Sequence, residues 1–179
     1  RTAGLKVTTT IDWDLQQMAE EVIAEGAKRN TDLYQGHNAA LVAQDARTGQ
    51  ILALVGSKDY FNTEEEGNFN VAAQGLRQPG SAIKPFAYIA AFKKGFTPDT
   101  ILFDVETEFD TTGQSEKSYK PHNFDDYHRG PVTMRNGLAQ SINIPSVKTL
   151  YLAGVDNTLK IARDFGISTL TERSRYGLS

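Results

Sequence analysis

The sequence predicts a mixed α/β domain, a sheet flanked by helices, and three stretches carry that prediction. Residues 39–45 (Ala-Ala-Leu-Val-Ala-Gln-Asp) and 51–56 (Ile-Leu-Ala-Leu-Val-Gly) are apolar strand candidates. The turn between them, Ala46-Arg47-Thr48-Gly49-Gln50, has a glycine where a positive φ is often needed, so the pair reads as a hairpin. Residues 81–94, closed by Gly95, form a mostly apolar run of helical length. Asp12 reads as the N-cap of another helix, with Leu15, Met18, Ala19, Val22, Ile23 and Gly26 spaced for one buried face.

The remaining elements follow in order. Residues 5–10, Leu-Lys-Val-Thr-Thr-Thr, read as a short β-branched strand. Both hairpin strands are almost continuously apolar in their centres, which predicts a sheet covered on both faces. Residues 57–79, with Glu64-Glu65-Glu66, read as a solvated loop. The 81–94 helix is too apolar for a surface helix and is expected at the centre. Residues 101–132 are irregular and polar, with room for short strands. Thr133 caps a helix to about Gln140, and Asn143-Ile144-Pro145 ends it. Further helices are expected at 146–153 and, capped by Asp156, at 157–165. No closing element is recognisable before Ser179.

Composition excludes several functions. The 179 residues carry 19 Lys+Arg against 22 Asp+Glu, a net charge of −3, with 39% hydrophobic and 23% charged residues. The basic residues are scattered, so no nucleic-acid footprint is expected. No apolar run approaches the roughly 18 residues that span a bilayer, and Arg1 opens no signal-peptide pattern. There is no cysteine, which removes disulfides, cysteine zinc sites and a cysteine nucleophile, and suits an extracytoplasmic protein. His37, His122 and His128 do not pair at ligand spacing, so no metal site is expected, and no cofactor is called for.

The chemistry concentrates at two places. Ser81 and Lys84 stand three apart at the mouth of the apolar helix, on nearly the same face. Helical side chains lean toward the N-terminus, so the Lys84 stem points back over Ser81. A serine hydroxyl needs a neighbouring base to become a nucleophile. Desolvation and the positive end of the helix dipole both favour the neutral, basic form of the amine. The backbone N–H of Ser81, in the first turn, can face an oxyanion. Against this, a Ser-x-x-Lys tetrapeptide is often only an exposed cap followed by a surface lysine. Pro79-Gly80 and the apolar surroundings of Lys84 weigh for the chemical reading. Pro85 lacks an N–H and disfavours α geometry at Lys84, which predicts a tightened or irregular first turn.

The second place is Ser141-Ile142-Asn143, just before Pro145. Alternate residues of a short extended segment project to one side. A hydroxyl able to pass protons and a carboxamide able to donate and accept then face a common space. Taken alone, these residues equally fit local helix-exit hydrogen bonding.

Together the two constellations resemble a known family. Gln78-Pro79-Gly80-Ser81-Ala82-Ile83-Lys84-Pro85-Phe86 resembles the first active-site motif of penicillin-binding proteins, and Ser141-Ile142-Asn143 resembles their second. Asn123-Phe124-Asp125, Gly130-Pro131-Val132-Thr133-Met134-Arg135 and Leu138 through Val147 are similar to the approach to that second motif in class A (bifunctional) enzymes. Val42–Asp45 with Thr48–Gly56 resembles their opening hairpin, and Val7–Asp12 with Leu15-Gln16 the entry to their transpeptidase domain. The likeness runs from about residue 5 to the C-terminus.

The resemblance implies the penicillin-binding protein/serine β-lactamase-like fold, with Ser81 at the start of its central helix. It implies a D,D-transpeptidase that cross-links peptidoglycan stem peptides ending in D-Ala-D-Ala through an acyl-serine, and that β-lactam antibiotics acylate. Ser81 would be the nucleophile, Lys84 the base and Ser141 the proton relay, with Asn143 holding the substrate amide. The family's third motif, Lys-Thr-Gly, is not found after Asn143: Lys148-Thr149 continues into Leu150, and Arg47-Thr48-Gly49 lies in the hairpin turn. Residues 1–179 are therefore expected to form the N-terminal part of a transpeptidase domain, inactive alone, with the remaining strands elsewhere or on a second chain and any membrane anchor upstream. A serine β-lactamase, a β-lactam sensor and a non-catalytic binding or scaffold domain remain alternatives. A Ser-His-Asp hydrolase fits less well, because no Gly-x-Ser-x-Gly elbow surrounds Ser81.

Overall fold

The structure is a computed structural model that describes residues 4–109, 119–171 and 176. The chain divides into two compact units, Arg1–Gln78 and Pro79–Ser179.

In the first unit, Asp12 caps helix α1 (Trp13–Tyr34), its carboxylate accepting from Leu15 N at 3.0 Å. The helix ends at Gln35, whose left-handed conformation (φ 57°) lets its N–H reach back to carbonyls of the last turn. Strands β1 (Leu41–Gln44) and β2 (Ile51–Val55) pair antiparallel, with a register irregularity at Ala43/Gln44. Gly49 adopts φ 74° in the connecting turn, as its position predicts. Ala19, Ile23, Ala53 and Val55 form the core here, with Leu15, Ala39, Leu41 and Ala43 at its margin. Gln16 serves the outer edge of β2: its amide donates to Leu54 O (3.2 Å) and accepts from Leu54 N (2.8 Å).

Several expectations are corrected here. Residues 5–10 form no strand; they run exposed beside β2, touching it through Thr10 Oγ1 on Ile51 O (2.6 Å), and Asp12 N then meets Leu52 O (2.9 Å). β-Branched composition without a continuous partner edge does not make a ladder. The hairpin is covered by α1 on one face, and Val42, on the other, is 48% exposed. A two-stranded ribbon is narrow, so α1 buries only the ridge Ala19, Ile23 and Ala27, while Met18 and Val22 face outward. The 57–79 loop contains a single short helix, α2 (Val71–Gln74); Glu64–Glu66 are exposed as expected, with Glu65 paired to Lys58 at 2.6 Å.

In the second unit a 3₁₀ turn, Gly80–Ile83, leads into α3 (Lys84–Lys93). Strands β3 (Ile101–Asp104) and β4 (Gly130–Thr133) pair antiparallel. Then come α4 (Met134–Ala139), capped by Thr133, α5 (Asn143–Ala153) and α6 (Val155–Asp164). Helix α3 is central, as its apolar sequence predicts: it packs on α4, α5 and α6. Tyr88, Ala90, Ala91, Leu102, Met134, Ala153 and Ile161 close the core around it. Phe86 adds an edge-to-face contact with Phe165, centroids 5.6 Å apart.

Two helix boundaries differ from expectation. Pro145 does not end a helix; it lies in the first turn of α5, where its missing N–H is not needed. Helix α6 begins at Val155 after Gly154 (φ 84°), so Asp156 stands in its first turn rather than at its cap. The expectation about the chain's end falls mostly on residues 172–175 and 177–179, which lie outside those described.

Gly137 in α4 is required for close packing. A Cβ there would sit 2.9 Å from the Tyr88 hydroxyl and 3.3 Å from Pro145 Cβ. Gly137→Ala is expected to destabilise the protein by about 1–3 kcal/mol, the usual range for overpacking. Tyr88→Phe, which removes the closest atom, is expected to recover part of that loss. Thermal unfolding of the single and double variants reads both effects, and an unaffected Gly137→Ala contradicts the packing described.

Candidate active site

The site grows from the mouth of α3. Gly80 takes φ 52°, a left-handed value that turns the chain into the helix. The first turn closes through short-range bonds, Ala82 N to Pro79 O (3.1 Å) and Lys84 N to Ser81 O. The irregular first turn expected from Pro85 is thus a 3₁₀ turn, whose bonds need no N–H from Pro85. Ser81 lies exposed within it, and among the described residues its hydroxyl has no hydrogen-bond partner. Its backbone N–H lies one residue before the first bonded donor of the turn, Ala82 N.

The Lys84 amine does not lie on Ser81. It crosses to the second motif and donates to Ser141 O (2.7 Å), Ser141 Oγ (3.0 Å) and Asn143 Oδ1 (2.8 Å). Among the described residues it makes no hydrogen bond to Ser81, over which the spacing predicts its stem to point. An ammonium has three donors, and three acceptors stand together on the facing segment. All three are uncharged. Loss of water around the amine holds its pKa below the ordinary lysine value. When the amine is neutral, the Ser141 hydroxyl can turn and donate to its lone pair, so the same three partners accommodate both states.

The second motif is shaped by two adjoining helix ends. Ser141 N donates to Leu138 O (3.0 Å) and Ile142 N to Gly137 O (2.9 Å), the two bonds of a Schellman termination of α4. That termination puts Ser141 in the left-handed region at φ 53°, where glycine is usual. Its carbonyl and hydroxyl thereby both reach Lys84. Ile142 is extended, and Asn143 opens α5. Ser141 and Asn143 do share one side, as their alternation suggests, although Asn143 is already helical. The Asn143 amide is engaged at both ends: Oδ1 takes Lys84, and Nδ2 donates to His122 O at 2.9 Å.

Sequence reasoning gave no role to the residues beneath this array. Asn123 is buried and donates to Asp104 Oδ1 (2.7 Å) and Tyr127 O (2.8 Å), while its oxygen accepts from Ile144 N (3.1 Å). Asp104, fully buried on β3, also accepts from Arg129 N at 3.0 Å. The only signal was the place of Asn123 in the Asn-Phe-Asp stretch. His122 contributes a backbone carbonyl, which no side-chain pattern reveals. Among the described residues no cluster of His, Cys, Asp or Glu could hold a metal. Nor, among the described residues, is any helix long and apolar enough to cross a membrane.

The site thus brings together an exposed hydroxyl at a helix mouth, a part-desolvated lysine one turn on, and a hydroxyl and an amide that face that lysine. Comparison with known proteins gives the family. The model of the penicillin-binding protein transpeptidase domain matches residues 39–176, and the chain belongs to that family. It is 40% identical to penicillin-binding protein 2D of Bacillus subtilis over 93% of its own length and 23% of that protein's. It is 36% identical to penicillin-binding protein 1A of Neisseria gonorrhoeae over 86% of its length and 20% of that protein's. The crystal structure of penicillin-binding protein 1A from Haemophilus influenzae superposes with a TM-score of 0.67 at 39% identity, covering 79% of this chain and 20% of that one. The fold is also similar to penicillin-binding protein A of M. tuberculosis, solved as an imipenem acyl-enzyme complex (TM-score 0.72, 23% identity, 96% and 42% coverage). The resemblance to class A enzymes is thus upheld, and the chain spans less than a quarter of the length of the curated relatives it matches here.

The depressed pKa of Lys84 has a stability consequence. A lysine whose folded value is lowered binds its proton more weakly when folded than when unfolded. Between the lowered value and the ordinary 10.5, the unfolded chain carries more protons, so stability rises with pH across that window. Burial lowers Lys148 in the same way, and it contributes in the same direction. Lys84→Met is expected to flatten the rise without abolishing it. Urea unfolding at stepped pH measures the slope, and an unchanged slope contradicts the burial of the amine.

Proposed function

We propose that the chain carries the acylation half of a D,D-transpeptidase site. The observation that carries the reading is the Lys84 amine bound to both residues of the second motif, 57 and 59 positions away in sequence. Ser81 Oγ attacks the carbonyl between the two D-alanines of a peptidoglycan stem peptide. As the new C–O bond forms, the Ser81 proton passes to neutral Lys84 Nζ. Lysine rotation about its terminal bonds brings the lone pair from the Ser141 hydroxyl toward Ser81. The tetrahedral oxyanion is met by the Ser81 N–H in the turn that leads into α3, near the positive end of that helix. Collapse breaks the C–N bond, and the proton returns through Ser141 to the departing D-alanine amine. An amine of a second stem peptide then takes the acyl group by the reverse sequence.

Asn143 is the remaining participant. Its amide fixes Lys84 from one side and offers carboxamide chemistry suited to a peptide-bond substrate. Because both its polar atoms are occupied, holding substrate requires exchange of one existing bond. β-Lactams, whose strained amide occupies the place of the D-Ala-D-Ala bond, acylate the same serine. The substrate lies outside the cytoplasm, where the absence of cysteine is also at home.

Intact-mass spectrometry after benzylpenicillin exposure, followed by peptide mapping, tests the reading. In a protein that supplies the rest of the transpeptidase domain, one adduct is expected, on the peptide carrying Ser81, and none in Ser81→Ala, while residues 1–179 alone are expected not to label robustly. Lys84→Met is expected to slow acylation by roughly 10²–10⁴-fold, the usual contribution of a general base. An adduct on another residue, or undiminished labelling of Ser81→Ala, overturns the assignment and favours a non-catalytic role.

A further inference from the structure

We propose that Asn123 is a positioning residue for this site: it holds the His122 carbonyl and the start of α5 so that the Asn143 amide presents its oxygen to Lys84. The proposal rests on reading Lys84 as the base, but it is tested without acylation, so the two can fail separately.

Hydrogen-bond bookkeeping fixes the orientation of both amides. The Asp104 carboxylate and the Tyr127 carbonyl only accept, so they must face Asn123 Nδ2, at 2.7 and 2.8 Å. The Ile144 N–H only donates, so it must face Asn123 Oδ1, at 3.1 Å. Both N–H groups and the oxygen of Asn123 are therefore used, and no flipped amide satisfies the same partners. One residue earlier, the His122 carbonyl only accepts, so it must face Asn143 Nδ2 (2.9 Å). That leaves Asn143 Oδ1 for Lys84, which as an ammonium only donates (2.8 Å).

The order of command runs outward from the core. Asp104 is fixed in β3 and buried. It also accepts from Arg129 N, and Arg129 pairs with Asp125 at 2.6 Å, so the 123–129 loop is closed on itself and on β3. Asn123 is the residue that joins this closed loop to α5, at the N–H next to Asn143. Without it, neither the His122 carbonyl nor the first turn of α5 is tied to β3 through this path. The Asn143 amide then loses the acceptor that decides which way it faces. The partners of Lys84 within hydrogen-bond reach are neutral, so the turn of one amide changes the ammonium's environment directly.

The experiment is a double-mutant cycle read at Lys84 on the full chain. The Lys84 titration midpoint is followed by its ¹³Cε resonance in wild type, Asn123→Ser, Asn143→Ala and the double variant. Asn123→Ser is expected to lower the midpoint by at least about half a unit, because the ammonium loses an oriented acceptor. In the Asn143→Ala background the same substitution is expected to leave the midpoint in place, since Asn123 acts through Asn143. Ile161→Ala, a core truncation on α6, is expected to lower the melting temperature without moving the midpoint. A midpoint that stays or rises in Asn123→Ser while the melting temperature falls shows a structural role only and overturns the proposal. A shift that persists undiminished without the Asn143 amide overturns it too. Asn123→Gln, which keeps the amide but reaches one carbon too far, is read against the same outcomes if the serine variant does not fold.

Discussion

An amine brought partly out of water must find acceptors, and Lys84 finds all of its own on one facing segment. That constraint ties the first motif to the second. The partners are a carbonyl, a hydroxyl and a carboxamide oxygen, none of them charged. A carboxylate there would hold the amine protonated and quench it as a base. Neutral acceptors satisfy the ammonium without pinning it, and the hydroxyl can reverse its role when the proton leaves. The chemistry proposed for Ser81 depends on that balance more than on the serine's own surroundings, where the hydroxyl is exposed and has no hydrogen-bond partner among the described residues.

The fold supplies the acceptors through features unremarkable on their own. A Schellman termination of α4 usually places glycine at its left-handed residue. Here Ser141 takes that place, and the turn aims two of its oxygens at Lys84. A left-handed serine costs about 1 kcal/mol relative to glycine. Proximity of α4 to α3 depends in turn on Gly137, which lets Tyr88 approach. Beneath the array, Asp104 and Asn123 link β3 to the first turn of α5 by hydrogen bonds. Ser81, Lys84, Ser141 and Asn143 thus stand at helix ends, beside β3 and the helical core.

Much of this was legible in the sequence, and the reasons differ by element. The apolar excess of residues 86–92 announced a central helix because it left no polar stripe. Thr133, Asp12 and Gly49 act locally, so their roles could be read from a few neighbours. Ser81 and Lys84 stand out by type and spacing, whereas Ser141 and Asn143 stand out only through the resemblance of their segment to a known motif. The partner of Lys84 was misjudged because helical proximity to Ser81 competes with contacts across 57 residues, and spacing informs only on the former. Residues 5–10 had strand composition without a strand, since pairing depends on an edge the segment itself does not encode. Met18 and Val22 match a helical face on paper, yet the narrow ribbon beneath α1 cannot cover them. The role of Asn123 was hidden because burial and triple hydrogen bonding emerge only once β3, the loop and α5 converge.

The link between the two motifs is open to one direct measurement. Equilibrium unfolding of Lys84→Met, Asn143→Ala and the double variant, at neutral pH, gives the coupling between amine and amide. If Lys84 is held by Asn143 as described, the two losses are not additive, and the coupling amounts to at least about 0.5 kcal/mol. Losses that simply sum would mean that amine and amide do not meet in solution, and the lysine would then have no tie to the second motif through Asn143.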